Sequence, residues 1–144
     1  MRVSQVLKKK GGNLITAQPE EPIWGVLRRY RTNQIGVLVV VDDHGELCGL
    51  LGERDLLNGL INHGRKLLDE PVSEVMTTDV PTCGPDDAIE LLEGVMTTKR
   101  TRHVPVVENG RVTGIISIGD VVKARLDDEA LENKVLRDIA RSRR

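Results

Sequence analysis

The segment Ile115-Ile116-Ser117-Ile118-Gly119-Asp120 holds the most informative chemistry in this chain of 144 residues. An apolar run that reads as the end of a strand meets a hydroxyl, a glycine and a carboxylate at the start of a predicted helix. The first backbone N–H groups of a helix lack partners and sit at the positive end of its dipole, so such a junction attracts a phosphate, and Ser117 adds a hydroxyl donor. Asp120 repels phosphate but suits the two hydroxyls of a ribose, the task an acidic residue performs in dinucleotide-binding folds. Together these groups describe a nucleotide reader. They also describe an ordinary helix start, with Ser117 as N-cap and an acidic residue favouring the dipole, and the motif alone does not separate the two.

Other chemistries lack their residues. The chain has no Gly-x-Ser-x-Gly elbow, no Gly-rich loop ending in Lys-Ser or Lys-Thr and no His-Glu-x-x-His, so binding fits better than bond-breaking and no enzyme is expected. Cys48 and Cys83 form no Cys-x-x-Cys pair, and His44, His63 and His103 show no metal-ligand spacing, so no metal is expected. With 21 basic against 22 acidic residues, the chain carries no excess field for a polyanion. Phe is absent and Trp24 and Tyr30 stand alone, which removes the stacking platform that single-stranded nucleic acid needs. The longest apolar run, residues 35–41, falls well short of the roughly 20 residues of a membrane-spanning helix, and no secretory signal is visible. Cytoplasmic residence with reduced thiols is the expectation.

The elements that must position Ser117 and Asp120 occur twice. Val3-Ser4-Gln5-Val6-Leu7 returns as Val72-Ser73-Glu74-Val75-Met76, and Pro19-Glu20-Glu21-Pro22-Ile23 as Pro85-Asp86-Asp87-Ala88-Ile89. Val40-Val41, Gly45, Gly49 and Asp55 return as Val106-Val107, Gly110, Gly114 and Asp120. Each copy reads as a short strand (near residues 14–16 or 80–82), a helix (23–30 or 88–98), a hairpin (37–41 with 47–51, or 104–107 with 112–116) and a second helix beginning near Asp55 or Asp120. A small sheet with helices on one face cannot bury both faces alone, so the copies dock on each other. The expected fold is α/β in the broad α+β sense: two β-α-β-β-α repeats packed as a pseudo-twofold, disc-like pair. The expected divisions are a first repeat over residues 1–61, a linker over 62–70, a second repeat over 71–126 and a helical tail over 127–144.

The duplicated pattern resembles the tandem cystathionine-β-synthase (CBS) domain pair. The residues that carry the likeness are Val72-Ser73-Glu74-Val75-Met76, His103-Val104-Pro105-Val106-Val107 and Gly114 to Asp120, in that order and echoed in the first half; together they span the chain from Val3 to about Arg125. The resemblance implies a non-catalytic regulatory module that pairs into homodimers and binds AMP, ADP, ATP, NAD or S-adenosylmethionine in clefts between the repeats, with AMP foremost. On the same basis Asp120 holds the ribose, and Ser117 with the amides of Ile118 and Gly119 holds the phosphate. Thr82, Cys83 and the backbone of His103 and Val104 before Pro105 line an adenine slot, with Arg102 beside it. In the first repeat Thr16, Val37, Arg54 and Asp55 stand at the corresponding ligand positions. That repeat departs from the pattern, because Val39 replaces Pro105 and Gly52 replaces Ser117. Arg54 either lends its forked guanidinium to phosphates or is a solvated surface arginine.

Three further features carry two readings each. His103 reads as a packed or capping residue as readily as a switch. Trp24 reads as core or dimer contact rather than ligand platform. The stripe Leu131, Val135 and Ile139 in the tail packs on its own module or on a dimer mate, while Arg137, Arg141, Arg143 and Arg144 hint at an anionic partner. The rival to a nucleotide sensor is a structural adaptor with degenerate clefts that docks a regulated protein partner.

Overall fold

A computed structural model describes residues 1–142; Arg143 and Arg144 of the basic end lie outside the described residues. The elements run α1 (Val3–Lys10), β1 (Thr16–Ala17), α2 (Ile23–Asn33), β2 (Val37–Val41), β3 (Leu47–Gly52) and α3 (Glu53–His63). After two short 3-10 turns, Gly64–Asp69 and Val72–Glu74, come α4 (Ile89–Lys99), β4 (His103–Glu108), β5 (Arg111–Ser117) and α5 (Ile118–Ser142). The sheets are β1-β2-β3, with β1 parallel to β2, and the antiparallel pair β4-β5.

Both hairpins close as the turn residues require. Gly45 and Gly110 each sit at φ +79°, a region that disfavours a side chain. The ladders then slip at the same place in each copy, between Val40 and Val41 and between Val106 and Val107. One difference follows from proline. In the first half the Val39 amide donates to the Ile15 carbonyl (3.4 Å), helping β1 pair with β2. Pro105 stands at the position of Val39 and has no N–H, so the strand expected near residues 80–82 shrinks to one bridge, Cys83 to Val106.

The opening segments are exchanged between the repeats. The Val3 and Ser4 amides donate to the Asp87 and Pro85 carbonyls (both 2.9 Å), whereas the Val72 and Ser73 amides donate to Glu21 and Pro19 (2.8 and 3.0 Å). The bridges Arg2 to Ala88 and Pro22 to Pro71 repeat the exchange. Burial follows the same rule. Val3 and Val6 of α1 lie in one cluster with Ile89, Leu92, Val104 and Ile116, while Val72 and Leu67 complete the other around Ile23, Val26, Leu38 and Leu51. The opening of the first repeat therefore covers the second core, and the opening of the second, with the turn before it, covers the first.

The segment between the repeats is the end of α3 followed by the Gly64–Asp69 turn, with Leu67 buried. The tail continues α5 without a break to Ser142. Leu131, Val135 and Ile139 are exposed, so this part of α5 does not pack on its own module. Trp24 is 61% exposed and is not core.

Exchange brings backbone over backbone where glycine is needed. A Cβ on Gly49 would lie 2.6 Å from the Thr77 carbonyl oxygen and 3.0 Å from Met76 Sδ, while the nearest atoms to one on Gly114 would belong to the Leu7 side chain, at 2.8 Å. Gly49→Ala should lower unfolding free energy by about 2 kcal/mol, within the usual range for overpacking, and Gly114→Ala by clearly less because Leu7 can rotate away. Chemical denaturation of both variants checks this; equal losses, or none, would contradict the close crossing.

Candidate functional site

The strand-to-helix junctions after β5 and β3 are built alike. At the start of α5 the Asp120 amide donates to Ser117 Oγ (3.1 Å) and the Ser117 amide donates to Asp120 Oδ2 (2.9 Å), a reciprocal capping box. At the start of α3 the Gly52 amide donates to Asp55 Oδ2 (2.8 Å), and no hydroxyl answers. The cap leaves capacity over. Among the described residues Asp120 Oδ1 accepts no hydrogen bond, and the Ser117 hydroxyl still has its own proton to donate.

The exchanged segments then reach these carboxylates. Lys10, the last residue of α1, points its ammonium at Asp120 Oδ2 (2.8 Å) and the Ile115 carbonyl (3.0 Å). In the other half the Thr77 hydroxyl donates to Asp55 Oδ1 (2.6 Å) and the Thr77 amide donates to the Leu50 carbonyl (2.8 Å). Thr77 thus does with a hydroxyl and an amide what Lys10 does with one charge. Neither residue was legible as a site residue, because each comes from the opposite repeat and nothing local marks it. A groove of about 170 Å³ between α1 and α5 is lined by Lys9, Lys10, Asp120 and Lys123 among others.

The second-repeat residues gather around this junction. His103 pairs with Ser117, Val104 with Ile116 and Pro105 with Ile115 across β4 and β5, and the Ile118 amide donates to the Arg102 carbonyl (2.8 Å). Buried Cys83 lies alongside, its amide donating to the Pro105 carbonyl (3.0 Å) and its carbonyl accepting from Val107 (2.8 Å). Thr82 and Gly119 are exposed at the rim. In the first repeat Thr16 lies opposite Val39 and Val37 opposite Gly52, beside Asp55. Arg54 is exposed, and among the described residues its guanidinium joins no hydrogen bond or ion pair.

Electrostatics distinguish the groups. Burial pushes the Asp120 carboxyl up, but the Lys10 ammonium and the Ser117 bonds outweigh it and leave the pKa lowered. His103 is lowered by burial first, then by the Lys10 and Arg102 charges, against the pull of Asp120. Burial, helped by the Asp87 charge, pushes the Cys83 thiol up to about 11, so it is a packing group rather than a nucleophile. Among the described residues no helix is long and apolar enough to cross a membrane.

Two stretches of the chain, residues 3–62 and 72–127, match the family model of the CBS domain. The mitochondrial CBS domain-containing protein CBSX3 of Arabidopsis thaliana is 31% identical over 130 residues, which cover 85% of this chain and 63% of CBSX3, so the chain spans less than two thirds of that relative. The crystal structure of the CBS-domain containing protein ATU1752 from Agrobacterium tumefaciens matches with a TM-score of 0.79 and 41% identity, covering 86% of this chain and 92% of that one. CBSX2, solved in complex with AMP, matches in fold with a TM-score of 0.75 at 24% identity, covering 89% of this chain and 98% of that one.

The Lys10 contact has a pH signature. Asp120 has a folded pKa below its ordinary 3.8, so its contribution to stability is present above that value and is lost as pH falls through the folded pKa. His103 has a folded pKa below its ordinary 6.5, so stability also declines as pH falls from there through the lowered value. Lys10→Met should raise both pKa values, by removing a partner from one and a repeller from the other. Site-resolved NMR titration reads this directly, and unchanged values would show that Lys10 does not sit between them.

Proposed function

The chain belongs to the CBS-domain family, and on that premise we propose that it is a regulatory module binding adenine-containing nucleotides, chiefly at the second-repeat junction around Asp120. AMP is the leading ligand; ADP, ATP, NAD and S-adenosylmethionine share the adenosine part that the site would recognise. The observation that carries the reading is the α5 junction itself. A carboxylate oxygen that has no partner among the described residues lies beside a serine hydroxyl and the first amides of a helix, which is the pairing a ribose phosphate asks for. The AMP bound by CBSX2, a protein of the same fold, supports the ligand class. Pro105, with no N–H, and buried Cys83 support an apolar slot whose main-chain groups face the purine.

Regulation requires a ligand to favour one of two states. Lys10 supplies a route, since any ligand that engages Asp120 acts on the residue that anchors the end of α1. We further propose that the module works as a homodimer. Leu57 and Ile61 of α3 are 61% and 82% exposed, and their counterparts Val122 and Leu126 of α5 are 51% and 59% exposed. The same apolar pair repeated on two pseudo-equivalent helices makes a self-complementary face, the kind an isologous dimer buries.

Calorimetric titration of the parent and of Asp120→Ala with AMP tests the ligand site. Loss of the ribose contact should weaken AMP tenfold or more, about 1.4 kcal/mol or greater; equal affinity would remove Asp120 from the site. Light scattering tests the second proposal. The parent should have twice the 15.9 kDa chain mass, and Ile61→Glu with Leu126→Glu should return it to one chain; a monomeric parent would overturn it.

A further inference from the structure

The two junctions share a plan but differ in charge. Beside Asp120 stand Lys10 at 2.8 Å and, on the same groove, Lys9, Lys123 and Asp127, while the Arg102 carbonyl holds the first amide of α5. The positions matching Lys123 and Arg102 in the first repeat are Asn58 and Gly36, and Thr77 takes the place of Lys10. Ile118 is matched by Glu53, whose carboxylate lies 4.0 Å from where a Cβ on Gly36 would be, at the mouth of the same junction. Lys9, Lys10 and Lys123 outnumber Asp120 and Asp127 on the α5 groove, whereas at the start of α3 Glu53 and Asp55 flank Arg54 in the chain.

We propose that the two junctions sort adenosine compounds by charge: the α5 site takes those with an anionic phosphate, and the α3 site takes uncharged or cationic ones. The proposal rests on the nucleotide-binding reading above and adds a ligand class for each site. Lys10 is the residue that decides. An ammonium has three donors, and among the described residues Lys10 uses one on the Ile115 carbonyl and one on Asp120, which leaves one N–H for a phosphate oxygen while Asp120 Oδ1 takes the ribose. A phosphate also gains the Ser117 hydroxyl there. At α3 it would meet neither a hydroxyl at Gly52 nor an ammonium, and Glu53 would repel it. The field of Glu53 and Asp55 extends to the Tyr30 phenol, whose pKa they help to raise after burial itself. Uncharged adenosine loses nothing in that field, and a sulfonium-bearing adenosyl group gains from it.

The test isolates each site in the full chain. Asp55→Ala protein reports the α5 site and Asp120→Ala protein the α3 site, each titrated with AMP, adenosine and S-adenosylmethionine. The α5 site should prefer AMP over adenosine tenfold or more, and the α3 site should prefer adenosine and S-adenosylmethionine over AMP. Adding Lys10→Met to the α5 reporter should shrink the AMP preference to about threefold or less, while Lys10→Arg should keep it. Equal AMP preference at both sites, or a preference that survives Lys10→Met, would overturn the sorting. Should the parent chain bind no adenosine compound at all, the nucleotide-binding reading falls and takes the sorting with it. Amide shifts of Gly119 and Arg54 in the unsubstituted protein give the same answer if a variant folds poorly: AMP should move the first, adenosine the second.

Discussion

The exchange of opening segments is the constraint on which the rest depends. Main-chain hydrogen bonds tie Val3 and Ser4 to Asp87 and Pro85, and Val72 and Ser73 to Glu21 and Pro19, so neither repeat closes its core from its own stretch of chain. A severed repeat would expose the apolar surface that Val3 and Val6, or Val72 and Leu67, cover. The same crossing forces glycine at position 49, where Thr77 passes backbone to backbone. It also delivers Lys10 and Thr77 to carboxylates that lie far from them in sequence, 110 and 22 residues away.

The duplication was legible because it repeats residue types whose physics is local. Glycines at 45 and 110 announce the hairpins through their positive φ, and the apolar spacing marks the helices. Ser117 and Asp120 were legible as a helix start, and the structure builds that cap; the same cap leaves the groups a ribose phosphate would use. What escaped was relational. No pattern within the first repeat tells that Val3 pairs beyond its own copy, and a lysine at the end of a basic helix reads as solvated charge. The short strand near residues 80–82 looked equal to its twin, yet Pro105 lacks the donor that Val39 supplies.

Unequal substitution on a shared plan is how the twin junctions come to differ in chemistry. The shared parts, an acidic residue one turn into a helix and a sheet edge beside it, keep the geometry. The substituted parts set the chemistry: serine against glycine at the cap, lysine against threonine on the exchanged segment, proline against valine on the second strand. Because each exchanged segment touches the junction of the other repeat, a ligand at either junction would act on a segment contributed by its neighbour. Just past Lys10, at the end of α1, Gly11 and Gly12 both adopt positive φ.

The account is tested most directly by a crystal structure of the chain grown with AMP. It predicts ribose hydroxyls against Asp120, phosphate oxygens against the Ser117 hydroxyl and the Lys10 ammonium, and the purine beside Cys83 and Pro105. Nucleotide density elsewhere on the molecule, or only solvent beside Asp120, would contradict it.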